Sequence, residues 1–366
     1  MEQEQRHLRR GWTTGACATA AAKAAYSALL GHGFPDPVEI ALPSGARVAF
    51  ALAETSLTSD AAQASVVKDA GDDPDVTHGA LIRASVRIGL PGSGVVFRAG
   101  DGVGTVTRPG LPIPPGEPAI NPVPRQMIRA ALDEIAGPAD AEVTIGVEHG
   151  ETLAKGTLNA RLGIVGGLSI LGTTGVVIPY SCAAWIDTIH RGIDVAIATG
   201  LEHVAGSTGS TSEQAVQALH GLPETALIEM GDFAGGMLKY LRHHPVRRIT
   251  IAGGVAKMTK LAQGRLDLHS KRGEADLAAL ARHAADPDLQ ARIAAANTVA
   301  EAFTQAARAG FALGDLVAEA AWHTAADALH PAQVELETVL FDRTGALVGR
   351  AAFAPVHAGT PRNRRT

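Results

Sequence analysis

The stretch that most constrains the fold of this chain is residues 161–182, which is apolar enough to be buried and yet rich in glycine. Glycine weakens a buried strand, but it is useful where the backbone adopts a positive φ or approaches another group closely. Hydroxyl side chains at Ser169, Thr173 and Thr174 lie among the glycines. The stretch therefore predicts either a tightly packed domain junction or a ligand floor, where backbone amides meet a polar or anionic group. Its glycines are Gly163, Gly166, Gly167, Gly172 and Gly175.

Length and composition exclude several classes of protein. The 366 residues favour two domains, and the net charge of −5 with 4% aromatic residues argues against a nucleic-acid partner. No apolar run is long enough to span a bilayer, so no membrane partner is expected. The alanine-rich stretch after Arg9 and Arg10 is interrupted by Lys23, which favours a folded helix over a secretion signal and predicts a cytoplasmic protein. Two cysteines form neither a disulfide framework nor a cysteine-based metal site.

The first half of the chain predicts an α+β domain over residues 1–192, with a mainly antiparallel sheet. A helix over residues 16–30 has Thr13 or Thr14 as its N-cap, and such a helix start can hold an anion. Alternating patterns predict strands around a turn at residues 43–45, and further strands follow. The expected strands are residues 38–53 (two strands), 64–68, 81–90, 143–147 and 153–158, with a helix ending at 136.

The second half predicts an α/β domain over residues 193–354. Apolar strands at residues 195–199, 226–230 and 249–252 are each followed by a loop with glycine or hydroxyl residues and then a helix. This repeat indicates a parallel sheet, in which the loops after the strands meet at one edge and bind ligands. Residues 355–366 are basic and are predicted to be a disordered tail.

An acidic loop over residues 68–79 allows several interpretations. It contains Asp69, Asp72, Asp73 and Asp75 together with one lysine and one histidine. The residue types are typical of a solvated turn, but they also suit a hard-metal site or carboxylates that bind ribose hydroxyls or a cation. The spacing is not that of an EF-hand loop, because the terminal glutamate is missing.

Residue patterns alone stop at a protein that binds a small anionic or nucleotide-like ligand, because no nucleophile elbow or Walker lysine is present. Several long motifs, however, resemble those of the CbiD family, and the similarity continues through residues 257–262 to 269–270. The motifs are GWTTGACA at 11–18, KDAGDDPDVTHG at 68–79, AINPVPR at 119–125 and GGLSILGTTG at 166–175. One departure is Gly253-Gly254, where many members have Gly-His.

The resemblance implies a cobalt-precorrin-5B C1-methyltransferase of cobalamin biosynthesis. Such an enzyme transfers a methyl group from S-adenosyl-L-methionine to ring carbon C1 of the cobalt-containing tetrapyrrole cobalt-precorrin-5B and gives cobalt-precorrin-6A. Two alternatives remain at this point: a non-catalytic corrinoid carrier of the same pathway, and a nucleotide-dependent oxidoreductase. The missing Gly-x-Gly-x-x-Gly after the predicted strands counts against the second alternative. Channelling contacts with other enzymes of the pathway are a further expectation.

Site residues are expected in three sets. The cofactor set lies on the loop edge of the second domain and comprises Ser207, Thr208, Glu229 and Asp232. The substrate set would bind the carboxylate arms of the macrocycle and comprises Thr13, Thr14, Arg125, Gly172, Thr173, Thr174, Lys257 and Lys260. The catalytic set is His78, oriented by a neighbouring aspartate, with Asp69 and Asp72. A histidine that only caps its turn is the alternative. No protein-bound metal is expected, because the substrate already carries its cobalt.

Overall fold

The computed structural model describes residues 8–356, and the chain divides into two compact units, Met1–Ser181 and Cys182–Thr366. The domain boundary expected after residue 192 falls inside the first helix of the second unit, Cys182–Ala198. Of the tail expected to be disordered, Pro355 ends a strand and Val356 is buried, whereas residues 357–366 lie outside the described part. No helix within residues 8–356 is both long and apolar enough to cross a membrane.

The first unit is built around one helix, α1 (Thr14–Leu29), which is buried on almost every side. Alanine has the highest helix propensity and the smallest side chain of the good helix formers, so neighbouring elements can approach the axis closely. This helix, Thr14–Leu29, packs against the helix Pro122–Ala136 and against the strands Val38–Ala41, Ala62–Val67 and Leu81–Ile88. Cys17 is completely buried in it, and burial raises the pKa of the thiol to about 12, which makes Cys17 an unreactive core residue. The elements of this unit are β1 (Gly11–Trp12), α1 (Thr14–Leu29), β2 (Val38–Ala41), β3 (Arg47–Phe50), β4 (Glu54–Leu57), β5 (Ala62–Val67), β6 (Leu81–Ile88), β7 (Val95–Ala99), β8 (Thr105–Val106), α2 (Pro122–Ala136), β9 (Ala141–Val147), α3 (Gly150–Ala154), β10 (Ile164–Val165) and β11 (Val176–Val177).

The described residues of the first unit form a five-stranded sheet in the order β4-β5-β6-β9-β7. All its neighbours are antiparallel except β7 and β9, which are parallel. Strand β1 pairs with β11, so the N-terminal motif and the end of the glycine-rich stretch lie side by side. A strand expected over residues 153–158 is wrong: residues 150–154 are helical, and a turn follows at Gly156.

The second unit contains a largely parallel sheet in the order β13-β12-β14-β15-β16, counted over its described residues, with β16 antiparallel. Side chains alternate between two apolar clusters, one on each face, as in a sheet covered by helices on both sides. Its elements are α4 (Cys182–Ala198), β12 (His203–Ser207), α5 (Ser210–His220), β13 (Leu227–Glu229), α6 (Ala234–His243), β14 (Arg248–Gly254), α7 (Val255–Ala262), α8 (Leu277–Ala281), α9 (Pro287–Ala294), α10 (Val299–Arg308), α11 (Leu313–Leu329), β15 (Glu335–Phe341) and β16 (Leu347–Pro355). The mixture of antiparallel and parallel sheets is the one expected from the sequence.

The strand predicted at residues 195–199 is wrong, because residues 195–198 are the last turn of α4. Buried residues of that helix recur at Ile189, Ile193 and Ala196, which is the spacing of one helix face. The first strand of the sheet is instead β12, and it ends at Ser207.

A buried polar cluster lies on the α5 face of this sheet. The carboxylate of Glu337 is fully buried and accepts hydrogen bonds from His220 Nε2 at 2.6 Å and Thr250 Oγ1 at 2.9 Å. Arg350 Nη2 lies 2.7 Å from the same carboxylate and supplies its positive partner. Because the Thr250 hydroxyl donates to Glu337, it accepts from His203 Nε2 at 2.9 Å, so this nitrogen of His203 carries a proton.

We predict that His203 makes the protein less stable in mild acid. Burial, followed by the charge of His220 and more weakly that of Arg248, lowers the pKa of His203 to about 4, against an opposing effect of Glu337. An unfolded histidine titrates near 6.5, so the unfolded chain binds an extra proton between about pH 6.5 and 4, and stability falls as the pH falls through that window. After allowance for the partly exposed ring, the loss is about 1–2 kcal/mol.

Urea unfolding at pH 7 and pH 4.5 measures this loss. The His203→Gln variant keeps a donor for Thr250 and should show a shallower pH dependence than the wild type. Replacement of the exposed His32 by glutamine is the matched control and should change nothing. An unaltered pH dependence in His203→Gln would contradict the assignment.

Candidate functional site

The loop edge of the second unit has the geometry of a ligand site. Strand β12 lies between β13 and β14, so successive strands are added first on one side of β12 and then on the other. In open α/β sheets, ligands bind in the crevice beyond the carboxyl ends of the strands at such a switch point. Ser207 ends β12, Glu229 ends β13, and the two are register partners. The structure therefore brings the predicted cofactor residues to this edge, although the sequence placed the first strand too early.

Lys257 joins the predicted cofactor residues rather than standing apart from them. Its Nζ donates to the backbone carbonyl of Thr208 at 2.8 Å and lies 3.1 Å from Asp232 Oδ1. That carboxylate oxygen is buried and accepts no well-aligned hydrogen bond from any described residue, so the lysine is close to it without satisfying it fully. Lys257 and Asp232 thus form a partly exposed ion pair at the end of the central strands.

Backbone glycines leave space at the same edge. Gly209, after β12, and Gly254, at the end of β14, each have no heavy atom within 4 Å of the position that a Cβ would take. The side chains of Ser207 and Thr208 are buried, and Ser207 Oγ lies 3.4 Å from Glu213 Oε2. These two residues therefore shape the edge, while the open backbone at the two glycines faces free space.

The sequence did not identify Trp185 of α4 as a site residue. Its indole Nε1 donates to the backbone carbonyl of Glu229 at 3.2 Å, and its ring lies 3.4 Å from where a side chain at Gly231 would begin. Phe233 lies beside it with the ring centroids 6.4 Å apart. The side chain is nevertheless 45% exposed. A half-exposed tryptophan at a loop edge has no distinct sequence signal, since it sits in an ordinary amphipathic helix.

Lys260, the second of the paired lysines, is buried. Its Nζ donates to the carbonyl of Leu268 at 3.1 Å, which ties the end of α7 to the following segment. The two lysines are thus used differently, and Lys257 is the more exposed.

In the first unit, Thr13 and Thr14 bind the glycine-rich stretch of their own chain. Thr13 Oγ1 accepts from Ala16 N at 3.2 Å as the N-cap of α1, while Thr13 N donates to Gly175 O at 3.0 Å. Thr14 Oγ1 accepts from Leu171 N at 3.0 Å. Leu171 O in turn accepts from Gly15 N at 3.0 Å. The helix start that could have held an anion is therefore occupied by the chain itself.

The surface of the glycine-rich stretch is unusually apolar for exposed residues. Thr173 and Thr174 are exposed, and Thr174 Oγ1 bonds to the backbone of Val176. Tyr180 is 67% exposed and has a positive φ of 56°, which is uncommon for a residue other than glycine and marks a constrained position. The other large apolar side chains exposed along the stretch are Val165, Leu171 and Ile178.

The guanidinium group of Arg125 bonds to the preceding residues of its own chain. Nε donates to Ile120 O at 2.8 Å, and Nη2 donates to Pro118 O at 3.1 Å. Both terminal nitrogens lie 3.1 Å from Glu117 Oε2. The structure thus gives Arg125 the role of holding residues 117–120.

The acidic loop is held by a buried ion pair. Lys68 is 1% exposed and donates to Asp75 Oδ2 at 2.6 Å, while Thr77 donates to Asp75 Oδ1 through its amide and its hydroxyl. Burial alone would raise the pKa of Asp75, but the charge and hydrogen bond of Lys68, together with the bonds of Thr77, outweigh it and lower the pKa.

The remaining aspartates of the loop each hold another segment. Arg9 donates to both carboxylate oxygens of Asp69, which with the Gly71 amide lowers the pKa of Asp69 to about 2. Asp72 Oδ2 accepts from the amide of Arg9 at 2.7 Å, and Asp73 Oδ1 accepts from Tyr180 N at 2.8 Å. The expected repulsion among these carboxylates is thus offset mainly by Arg9 and Lys68. No group of three or more described His, Cys, Asp or Glu side chains is placed to hold a metal ion.

His78 is oriented by a backbone amide. Its Nδ1 accepts from Ala70 N at 3.1 Å, whereas Asp69 Oδ1 is 3.8 Å away. A neutral imidazole that accepts at Nδ1 carries its proton on Nε2. The ring is therefore arranged to donate a hydrogen bond rather than to take a proton, and with 53% of its side chain exposed it is accessible.

Comparison with known proteins relates the whole chain to one family. The CbiD family model matches residues 1–179, and the model of the CbiD C-terminal domain matches residues 267–352. A protein of Agrobacterium fabrum named cobalt-precorrin-5B C(1)-methyltransferase is 64% identical over all of both chains. The chain belongs to the CbiD family. Proteins with the same name from Bradyrhizobium sp. and Halorhodospira halophila are 62% and 61% identical, with 98% and 95% of each chain covered.

A solved CbiD structure is also similar. The crystal structure of a cobalamin biosynthesis protein (CbiD) from Archaeoglobus fulgidus is 27% identical, with 74% of this chain and 86% of that chain covered and a TM-score of 0.39.

We predict that Gly172 of this CbiD family member cannot be replaced. It has a φ of 134°, and a Cβ there would lie 2.3 Å from Thr13 Oγ1. Gly172→Ala therefore combines backbone strain with a steric clash and should lower the free energy of unfolding by about 2–5 kcal/mol. Gly166→Ala is the matched control, because Gly166 has a φ of 88° but open space around it, and it should cost about 1–2 kcal/mol. Urea unfolding followed by circular dichroism measures both, and equal losses would contradict the proposed close contact.

Proposed function

We propose that the chain is a cobalt-precorrin-5B C1-methyltransferase of cobalamin biosynthesis. The observation that carries this proposal is the 64% identity, over the full length of both chains, to a protein of that name. Substrate and product are then cobalt-precorrin-5B and cobalt-precorrin-6A. The cobalt ion belongs to the substrate.

We further propose that the methyl donor is S-adenosyl-L-methionine, bound at the loop edge of the second unit. Open backbone at Gly209 and Gly254 leaves room for a ligand, and the buried Asp232 Oδ1 still lacks a well-aligned donor among residues 8–356. Glu229 makes no side-chain hydrogen bond or ion pair within the described residues, and it ends the strand that follows the glycine turn. An acidic residue about 20 residues after such a turn binds ribose hydroxyls in related sheets.

We infer that the macrocycle lies against the glycine-rich stretch of the first unit. A flat tetrapyrrole buries its apolar faces, and exposed Val165, Leu171, Ile178 and Tyr180 offer apolar surface along that stretch. Thr173 and the open backbone at Gly166 can donate to its carboxylate arms. In this proposal Thr13, Thr14 and Gly172 position the stretch and Arg125 holds residues 117–120, so none of the four binds the substrate.

The chemistry asks mainly for alignment. S-adenosyl-L-methionine supplies a sulfonium methyl group: the electron pair of ring carbon C1 forms the new C–C bond, and the electron pair of the broken S–CH3 bond remains on sulfur. The residues of this chain then contribute by holding the two reacting atoms in line, which can supply much of the rate enhancement.

We propose that the first unit is an α+β domain and that the second unit is an α/β domain. A cytoplasmic location, the absence of a nucleic-acid partner and channelling contacts stay predictions.

The activity has a direct test. Incubation of purified protein with cobalt-precorrin-5B and methyl-labelled S-adenosyl-L-methionine should transfer one label per macrocycle and release an equal amount of S-adenosylhomocysteine. Binding of the macrocycle without label transfer would instead favour the corrinoid carrier.

The placement of the cofactor is tested by calorimetry. Glu229→Gln and Asp232→Asn each remove a charged hydrogen-bond partner and should weaken S-adenosylhomocysteine binding by about 10- to 100-fold. Glu224→Gln, at an exposed carboxylate nearby, is the control and should bind normally. Normal affinity in both site variants would move the cofactor elsewhere, for example to the acidic loop.

We propose that His78 donates a hydrogen bond and is not a general base, with Asp69 and Asp72 acting only to hold Arg9. Glutamine can also donate, so single-turnover methylation by His78→Gln should fall by less than about tenfold. Loss of a general base typically costs about 10²–10⁴ in rate. A fall of that size, with unchanged substrate affinity, would refute the donor role.

A further inference from the structure

We propose that the cofactor binds along the loop edge in a single orientation, with its adenine against Trp185 near β13 and its amino-acid end on the Lys257–Asp232 pair near β14. This inference rests on the proposed cofactor site. It also assigns Lys257, expected from the sequence to bind a substrate carboxylate, to the cofactor.

The order of the strands provides the direction. Glu229 ends β13, Thr208 follows β12, and Lys257 lies in the helix that follows β14, on the far side of β12 from Glu229. A ligand whose ribose is bound by Glu229 can extend along the edge towards β14 or away from it. The side chains at the two ends have different chemistry, and they decide which part of the ligand lies where.

The β13 end suits a planar aromatic group. Trp185 is fixed by its hydrogen bond to Glu229 O and by contact with Gly231, yet almost half of the side chain is exposed. Base–aromatic stacking contributes about 1–3 kcal/mol per base. The carboxylate of Glu229, which would bind the ribose, and the ring of Trp185 both lie at the end of β13. Adenosine needs a ribose-binding group and a base-stacking group side by side in this way.

The β14 end suits a zwitterion. Lys257 uses one donor on Thr208 O and a second towards Asp232, and an ammonium group has three donors. Its remaining donor can bind the α-carboxylate of the cofactor, while Asp232 can accept from the α-ammonium group. Homocysteine and methionine ends carry both charges, so each would meet its opposite.

This direction also locates the reacting atom. The sulfonium joins the adenosine to the amino-acid end, so it lies over the end of β12 beside Gly209. No side chain projects from that residue, and a Cβ there would meet no atom within 4 Å. Gly209 therefore places no side chain of its own beside the methyl group.

Two ligands distinguish binding at the adenine end of the site from binding at the amino-acid end. S-adenosylhomocysteine carries both the adenosine and the amino acid, whereas 5′-methylthioadenosine carries only the adenosine. Calorimetry should show that Lys257→Met weakens S-adenosylhomocysteine binding by about 10- to 100-fold and changes 5′-methylthioadenosine binding by less than about twofold. Trp185→Leu should weaken both ligands by about tenfold.

Matched variants guard against misfolding. Lys239→Met removes an exposed lysine from α6 and should bind both ligands normally. Lys257→Arg and Trp185→Phe keep the charge and the aromatic ring, and they should recover most of the lost affinity. Circular dichroism and melting temperature verify that each variant is folded.

Four results would overturn the proposal. Equal weakening of both ligands in folded Lys257→Met would place the adenosine at that end, and normal binding in that variant would remove Lys257 from the site. Normal 5′-methylthioadenosine binding in Trp185→Leu would exclude the stacking. If the folded wild-type protein binds neither ligand, the proposed cofactor site itself fails, and the direction with it.

Discussion

Lys68 carries a charge in the interior of the first unit, and an ammonium group can stay there only with a negative partner. Asp75 is that partner at 2.6 Å, and the position of Asp75 fixes the course of the acidic loop. The loop in turn holds Arg9 through Asp69 and Asp72, and Tyr180 through Asp73. One buried ion pair thereby anchors the loop that joins the N-terminal segment to the end of the glycine-rich stretch.

Much of the fold follows from local rules. The alanine-rich helix, the hairpin around residues 43–45 and the strands near residues 226–230 and 249–252 were confirmed, because each depends on propensity, turn chemistry and periodicity within a short window. The strand at residues 195–199 was wrong because a short apolar run fits a strand and a buried helix turn equally well. Only the longer spacing of Ile189, Ile193 and Ala196 distinguishes them.

The site was less predictable than the fold. Sequence placed glycine and hydroxyl residues at the loop edge correctly, since the topology of parallel strands brings those loops together. The sequence did not show which polar groups are used in hydrogen bonds to other parts of the same chain. Thr14 bonds to Leu171 across 157 residues of sequence, and Lys257 meets Thr208 across 49, and neither pairing leaves a local pattern. Trp185 was missed for the same reason, because its position depends on packing between α4 and β13.

The buried cluster of His203, Thr250 and Glu337 lies towards the amino ends of the strands, while the proposed ligand edge lies at their carboxyl ends. His203 begins β12 and Ser207 ends it, so roughly 13 Å of strand separates the two places. The distance separates the buried histidine cluster from the proposed ligand edge along the length of the strands. A substitution at His203 therefore acts on acid stability at a place that shares no hydrogen bond with the proposed ligand edge.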